Sequence, residues 1–196
     1  MWIMSNSIIY APSYYALVCC LVAKHLNALA ESMKKHQGAV NYRKYQEKYH
    51  HLYKAVKEID SYYGLYCLLI FGSFIPMICV ILFGMVKIHV ESVGMVAFAF
   101  WIGFMLFLLL FVAVPSIAIN DQNDHLLEEV YDMHFGSPGN WESGAALFLA
   151  HQIKSTELCV TASGFFSITR SFMITLFSAV ATYFIIIVQF DQSDSS

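Results

Sequence analysis

Charge is what this chain has least of. Of 196 residues, 13% are Asp, Glu, Lys or Arg, and 58% are hydrophobic, where a soluble domain carries about 25% charged residues. With a mean hydropathy of +0.58, the composition excludes an ordinary soluble domain and indicates the membrane class. No charged residue lies deep in a hydrophobic run. Proton relays, pumps and many transporters keep such residues at the bilayer midplane, so a transporter is disfavoured. Catalytic signatures are missing too: there is no Ser-His-Asp spacing, G-x-S-x-G, P-loop or GxGxxG. No enzyme and no catalytic residue is expected. The eight His do not assemble a metal site. His50 and His51 are adjacent and cannot share a helix face. His125 and Glu129, with Glu128 beside them, fall short of the ligand count of a zinc site. No metal and no cofactor is expected, and nothing supports nucleic-acid binding. The five Cys (Cys19, Cys20, Cys67, Cys79 and Cys159) all avoid loops on the oxidising side, which excludes disulfides. Residues 1–6 lack the charged n-region of a signal peptide. Internal repeats and low-complexity tracts are absent.

What the chain has is apolar runs. Residues 65–86, 93–119 and 172–190 each pass the test of about 20 apolar residues for a membrane span. Residues 8–22 form a shorter run that contains Pro12, extended by the aromatic turn at 10–15. The fold expected is all-α: a multi-pass membrane helical bundle of about four spans. Eight of the eleven Lys and Arg lie between Lys24 and Lys57, which makes that segment cytoplasmic by the positive-inside rule. The division is then a first span over 1–23, a cytoplasmic helical hairpin over 24–60, and two spans over 61–119. Cytoplasmic helices over 120–163, a last span over 164–190 and an extracellular tail over 191–196 follow. An extracellular start without a signal peptide is expected of a piece or short isoform of a longer chain.

The cytoplasmic segments carry helical periodicity. Tyr42, Tyr45, Tyr49, Leu52, Val56 and Ile59 recur every three or four residues, as on one face of an amphipathic helix. A hairpin near 37–40 would turn the chain into that helix. The run 93–119 continues without Gly into 120–133, which reads as one helix prolonged into the cytosol and kinked at Pro115. Asp121, Asp124, Glu128, Glu129 and Asp132 give it an acidic face. Residues 135–140 (Phe-Gly-Ser-Pro-Gly-Asn) form a turn, residues 142–160 an amphipathic helix, and Gly164 separates it from the last span. Such a layer suits an assembly platform below the membrane.

The last span carries the main functional signal. At about 100° per residue, Ser171, Thr175, Ser178, Thr182 and Gln189 fall within a sector of roughly 60°, with Ile186 at its edge. A lipid-facing helix gains nothing from such a stripe. A helix lining water, or one bonded to partner helices, does. The aromatic residues of the outer membrane half admit two readings. Tyr10, Tyr14, Trp101 and Phe104 can wall an apolar ligand pocket, or belong to the interfacial belt and bundle packing.

Thr182-Tyr183, five apolar residues and Gln189-Phe190 resemble the signature that ends the last transmembrane helix of insect gustatory receptors. Ala162-Ser163-Gly164-Phe165-Phe166-Ser167-Ile168 is similar to the family's small-x-Gly-x-Phe segment, expected to start the last span. Residues 49–69 resemble the helix entering the fifth span, with Ile59-Asp60-Ser61-Tyr62-Tyr63-Gly64 in place of the usual step. The resemblance implies that the chain corresponds to spans four to seven of a seven-span receptor. It implies a plasma-membrane, ligand-gated, non-selective cation channel built as a tetramer, whose last helices line one pore. Gln189 would stand in an amide ring at the outer pore mouth, Ile186 and Phe190 near a hydrophobic gate, and Thr182, Tyr183 and Gly164 in motif packing. The partners implied are a small-molecule tastant, copies of the chain or other receptor subunits, and membrane lipids. The alternative is a non-conducting structural or regulatory membrane protein that co-assembles with full-length receptors.

Overall fold

The computed structural model describes residues 2–35, 42–87, 92–136, 142–156 and 158–194. Five helices account for nearly all of them: α1 (Trp2–Lys35), α2 (Tyr42–Lys87), α3 (Ser92–Gly136), α4 (Glu142–Ser155) and α5 (Arg170–Asp194). Pro12, Pro76 and Pro115 are all taken inside helices. α2 and α3 have 46 and 45 residues, so each is about 70 Å long, more than twice a hydrocarbon core of about 30 Å. Each therefore has an apolar half and a polar half. Four helical stretches are long and apolar enough to cross a membrane: Tyr10–Lys35, Arg43–Gly84, Gly94–Asp132 and Arg170–Phe190.

α1 packs chiefly on α3, α2 joins both, α4 lies on α3 and α2, and α5 leans on α2. In the apolar half the core is Tyr15, Cys19, Cys67, Phe71, Phe74, Leu109 and Val112. In the polar half it continues through Leu26, Met33, Tyr45, Tyr49, Val56, Leu126 and Ile153. Tyr45, Tyr49, Val56 and Ile59 are buried and Leu52 is half-buried, so the aromatic face of α2 is turned inward. Among the described residues the two buried polar ones, Ser116 and Asn123, are bonded. Ser116 Oγ donates to the Val112 carbonyl at 2.7 Å and receives the Tyr15 hydroxyl. Tyr49 donates to Asn123 Oδ1 at 3.1 Å and lies 3.0 Å from the Thr156 hydroxyl. Burial pushes the Tyr49 phenol above its ordinary range, so it stays a neutral donor.

The helix boundaries differ from the sequence reading at two places, and a third is not described. The hairpin near 37–40 lies outside the described residues. α3 takes in Phe135 and Gly136, and the remainder of the expected turn lies outside the described residues. The amphipathic helix expected over 142–160 ends at Ser155. There the Thr156 hydroxyl turns back to the Gln152 carbonyl at 2.6 Å, the local competition that disfavours Thr in a helix interior. Beyond it Leu158, Val160 and Ala162 are buried while Cys159 and Thr161 are half-buried, a strand-like period of two. An isolated antiparallel bridge pairs Thr161 with Ser167.

Candidate pore face of the last helix

α5 starts at Arg170, six residues after the expected start at 164. Thr169 is its N-cap: its hydroxyl accepts from the Phe172 amide at 3.2 Å, satisfying one of the first-turn donors. The preceding segment is a tight turn and not helix. Ser163 and Gly164 both have positive φ, 55° and 78°, as a type I′ turn requires of its central pair. The Phe165 amide closes it onto the Ala162 carbonyl at 3.0 Å.

One face of α5 is packed and the opposite face is bare. Met173, Leu176 and Ile187 are buried and Val180 is half-buried. At about 100° per residue these four fall within roughly 60° of one another, and their centre lies roughly 160° from that of Ser171, Thr175, Ser178, Thr182 and Gln189. All five stripe residues are exposed. The polar line therefore points directly away from the rest of the chain. Thr175 and Thr182 bond back to the carbonyls of Ser171 and Ser178 at 3.0 and 2.9 Å, which satisfies their protons and leaves their lone pairs outward. Ile186 is exposed at the edge of the stripe. Phe190, also exposed, lies about 90° round from the stripe's centre. Tyr183, exposed too, lies on that same flank. Gly164 stands below the helix, in the turn.

The other expected site residues are not brought together. Tyr10, Tyr14, Trp101 and Phe104 are all exposed, and Trp101 and Phe104 meet edge to face at 6.3 Å. Among the described residues, no three His, Cys, Asp or Glu converge on a metal site. Sequence reasoning missed the attachment of the base of α5. Asp60 on α2 receives the Thr161 amide at 2.7 Å and the Thr161 hydroxyl at 2.8 Å. Arg170 pairs with Asp121 on α3, and Phe166 stacks on Phe172 at 4.3 Å with Phe71 against both. The only sequence sign of this joint was the departure at 59–64 beside the break at Ser163-Gly164.

The family model of the 7tm chemosensory receptors matches residues 1–194. The chain belongs to that family. Among characterised relatives, this receptor chain is 29% identical over 151 residues to the High-energy light unresponsive protein 1 of Caenorhabditis elegans, covering 74% of the chain and 34% of that protein. It is 28% identical to Gustatory receptor family protein 3 of the same organism, with the same coverage. It is 27% identical to the Gustatory receptor for sugar taste 64b of Drosophila melanogaster, covering 79% of the chain and 37% of that protein. The chain thus spans about a third of the length of these relatives. Its fold is similar to that of an insect olfactory receptor from Machilis hrabei, solved in complex with eugenol, with a TM-score of 0.77 and 13% identity. The likeness covers 91% of this chain and 47% of that one. The all-α, multi-pass architecture is thereby the chemosensory receptor fold.

Proposed function

We propose that this chain is a subunit of a gustatory receptor that works as a ligand-gated, non-selective cation channel, with α5 as its share of the pore wall. The observation that carries the reading is the exposed polar stripe of α5, set opposite the face packed on α2. Four copies arranged about one axis, stripes inward, would line a pore with hydroxyls and one Gln189 amide each. Such a lining offers neutral oxygens to a cation and no fixed charge, which gives weak selectivity. Ile186, at the stripe's edge, is placed to form a hydrophobic constriction that closes by dewetting, and Phe190 flanks it. In this reading the polar layer of α1, α2, α3 and α4 is cytoplasmic, α5 runs outward in the plasma membrane, and a small-molecule tastant opens the gate. Tyr10, Tyr14, Trp101 and Phe104 would contribute to the tastant pocket from faces that this chain leaves open.

A second reading keeps one observation on its side. Because Thr175 and Thr182 satisfy their protons on their own helix, the stripe also suits dry contact between helices, as in a non-conducting subunit that co-assembles with full-length receptors. Cysteine substitution along α5 separates the two. With a membrane-impermeant thiol reagent applied to the receptor in cells, Cys at Thr175, Ser178 and Thr182 should react and reduce the current. Cys at Met173 and Leu176 should do neither. A stripe that stays unreactive in a conducting receptor rules out the pore wall, and a receptor without current favours the regulatory subunit.

A further inference from the structure

The base of α5 is held by a polar clasp on α2, and the clasp is built more carefully than anchoring alone needs. Both Asp60 carboxylate oxygens lie 2.8 Å from the Thr161 hydroxyl, and Oδ1 also accepts the Thr161 amide at 2.7 Å. The same hydroxyl accepts the Gly164 amide at 2.9 Å, so Asp60 holds Thr161 and Thr161 in turn holds the middle of the turn. Hydrogen bonds to an ionised carboxylate are short and about twice as strong as neutral ones. Gly64, one helical turn further along α2, lets the turn approach. A Cβ there would stand 2.9 Å from the Ser163 nitrogen and 3.2 Å from its Cα. Phe71, two turns beyond, meets Phe166 and Phe172 at 5.8 and 5.6 Å. At about 100° per residue, Asp60, Gly64 and Phe71 fall within roughly 40°, so a single line on α2 seats the whole entry to α5.

The neighbourhood leaves this joint room to move. A cavity of 410 Å³ borders it, lined by Tyr53, Lys57, Asp60, Ser155, Cys159 and Ser167 among others. The pocket opens to the outside, so the turn is held on its α2 side and open beside it. Above the joint, α5 packs on α2 along one narrow face (Met173, Leu176, Ile187). A helix fixed at its base and loosely supported above it behaves as a lever. Ile186 is sixteen residues beyond Arg170, about 24 Å along the axis, so a tilt of about 5° at the base moves it by roughly 2 Å.

We propose that Asp60 is a positioning residue for gating: its clasp on Thr161 transmits the position of α2 to the base of α5 and thereby biases the gate. α2 runs unbroken from the polar layer through Asp60 into the apolar half, so movement of either half reaches the clasp directly. The proposal rests on the pore reading of α5.

The test uses the assembled receptor carrying Ile186→Ala, whose weakened gate supplies a current without a known tastant. Into it go Asp60→Ala, Thr161→Val, the conservative Thr161→Ser, and Gly64→Ala, which leaves the clasp residues intact but crowds the turn off α2. Surface amount, unitary conductance, open probability and amide hydrogen exchange are read together. The expected result is faster exchange at Thr161 and Gly164 with Asp60→Ala, and at Gly164 with Thr161→Val, by about tenfold or more. A several-fold change of open probability at unchanged unitary conductance should accompany it. Thr161→Ser should restore the wild-type value, and Asp60→Ala combined with Thr161→Val should add little to either single one. Thr161→Val and Gly64→Ala stand in if Asp60→Ala reaches the surface poorly. Unchanged open probability in surface-expressed variants whose clasp amides exchange faster overturns the coupling and leaves the pore reading standing. Absence of any current from the Ile186→Ala receptor overturns the pore reading and the coupling with it.

Discussion

At the scale of single residues, the polar groups buried in the polar half of the helices are the most exacting feature. Tyr49 reaches across from α2 to Asn123 on α3 and to Thr156 at the end of α4, so one hydroxyl ties three elements. Tyr49→Phe keeps the ring and removes the bonds, leaving the Asn123 oxygen buried and unpaired at a cost of about 1–3 kcal/mol. Thermal unfolding of the purified receptor in detergent should show a lower midpoint, and an unchanged one would mean that water takes the place of the phenol. Asp124 gives a pH-dependent case. Although the residue is exposed, partial desolvation, with Asp121 and Glu128 nearby, raises its carboxyl above the ordinary 3.8. A raised acid favours the folded state while protonated, so that contribution is complete below pH 3.8 and is lost as pH climbs through the folded value. Asp124→Asn should therefore unfold at a higher temperature than wild type at neutral pH, the gap closing towards pH 3.8. A gap that is flat with pH would assign it to the weak Asn120 contact at 3.4 Å instead. The inward aromatic face of α2 was legible in the sequence because its spacing is local. The partners of Tyr49 were not, since Asn123 and Thr156 lie 74 and 107 positions away and no pattern in a single sequence links them.

At the scale of elements, α5 shows both what periodicity reveals and where it fails. The stripe was legible because a 3.6-residue period places Ser171, Thr175, Ser178, Thr182 and Gln189 on one side whatever surrounds the helix. The start of the helix was not. Thr156 to Ile168 contains residues that satisfy a helical pattern on paper, but Thr156 bonds backward and the chain then alternates in and out with the period of a strand. The geometry also separates two residues that the sequence motif treats together. Ile186 borders the stripe while Phe190 sits about 90° away from its centre. Ile186→Ala is therefore expected to raise ligand-free current strongly at normal surface expression, and Phe190→Ala to raise it less. Equal effects, or a larger one at Phe190, would mean that α5 is rotated in the assembled receptor relative to the stripe.

At the scale of the whole molecule, the four apolar stretches and the polar layer were legible from hydropathy and charge alone, because a bilayer imposes length and sign on any chain that crosses it. The proposed assembly came only from the family resemblance, because a pore wall made of copies would leave no contact within one chain. The Gln189 end of the stripe offers the sharpest test of that assembly. Gln189→Glu places one carboxylate per subunit at the proposed pore mouth, four in a tetramer. A cation on the axis roughly 8 Å from each would gain about 0.5 kcal/mol per charge in water, or about 2 kcal/mol in total. Screening at physiological ionic strength, where the Debye length is about 8 Å, reduces this to roughly 0.8 kcal/mol, a three- to fourfold enrichment of monovalent cations. Single-channel cation conductance should rise by about that factor at physiological salt, rise further as salt is lowered, and shrink towards wild type in molar salt. Divalent permeability should gain more than monovalent, since the attraction doubles with charge. A conductance that ignores both the substitution and the salt places Gln189 away from the ion path. With Thr175→Cys and Thr182→Cys still reactive, that result would confine the pore to the inner two-thirds of α5 and move its outer mouth onto another helix.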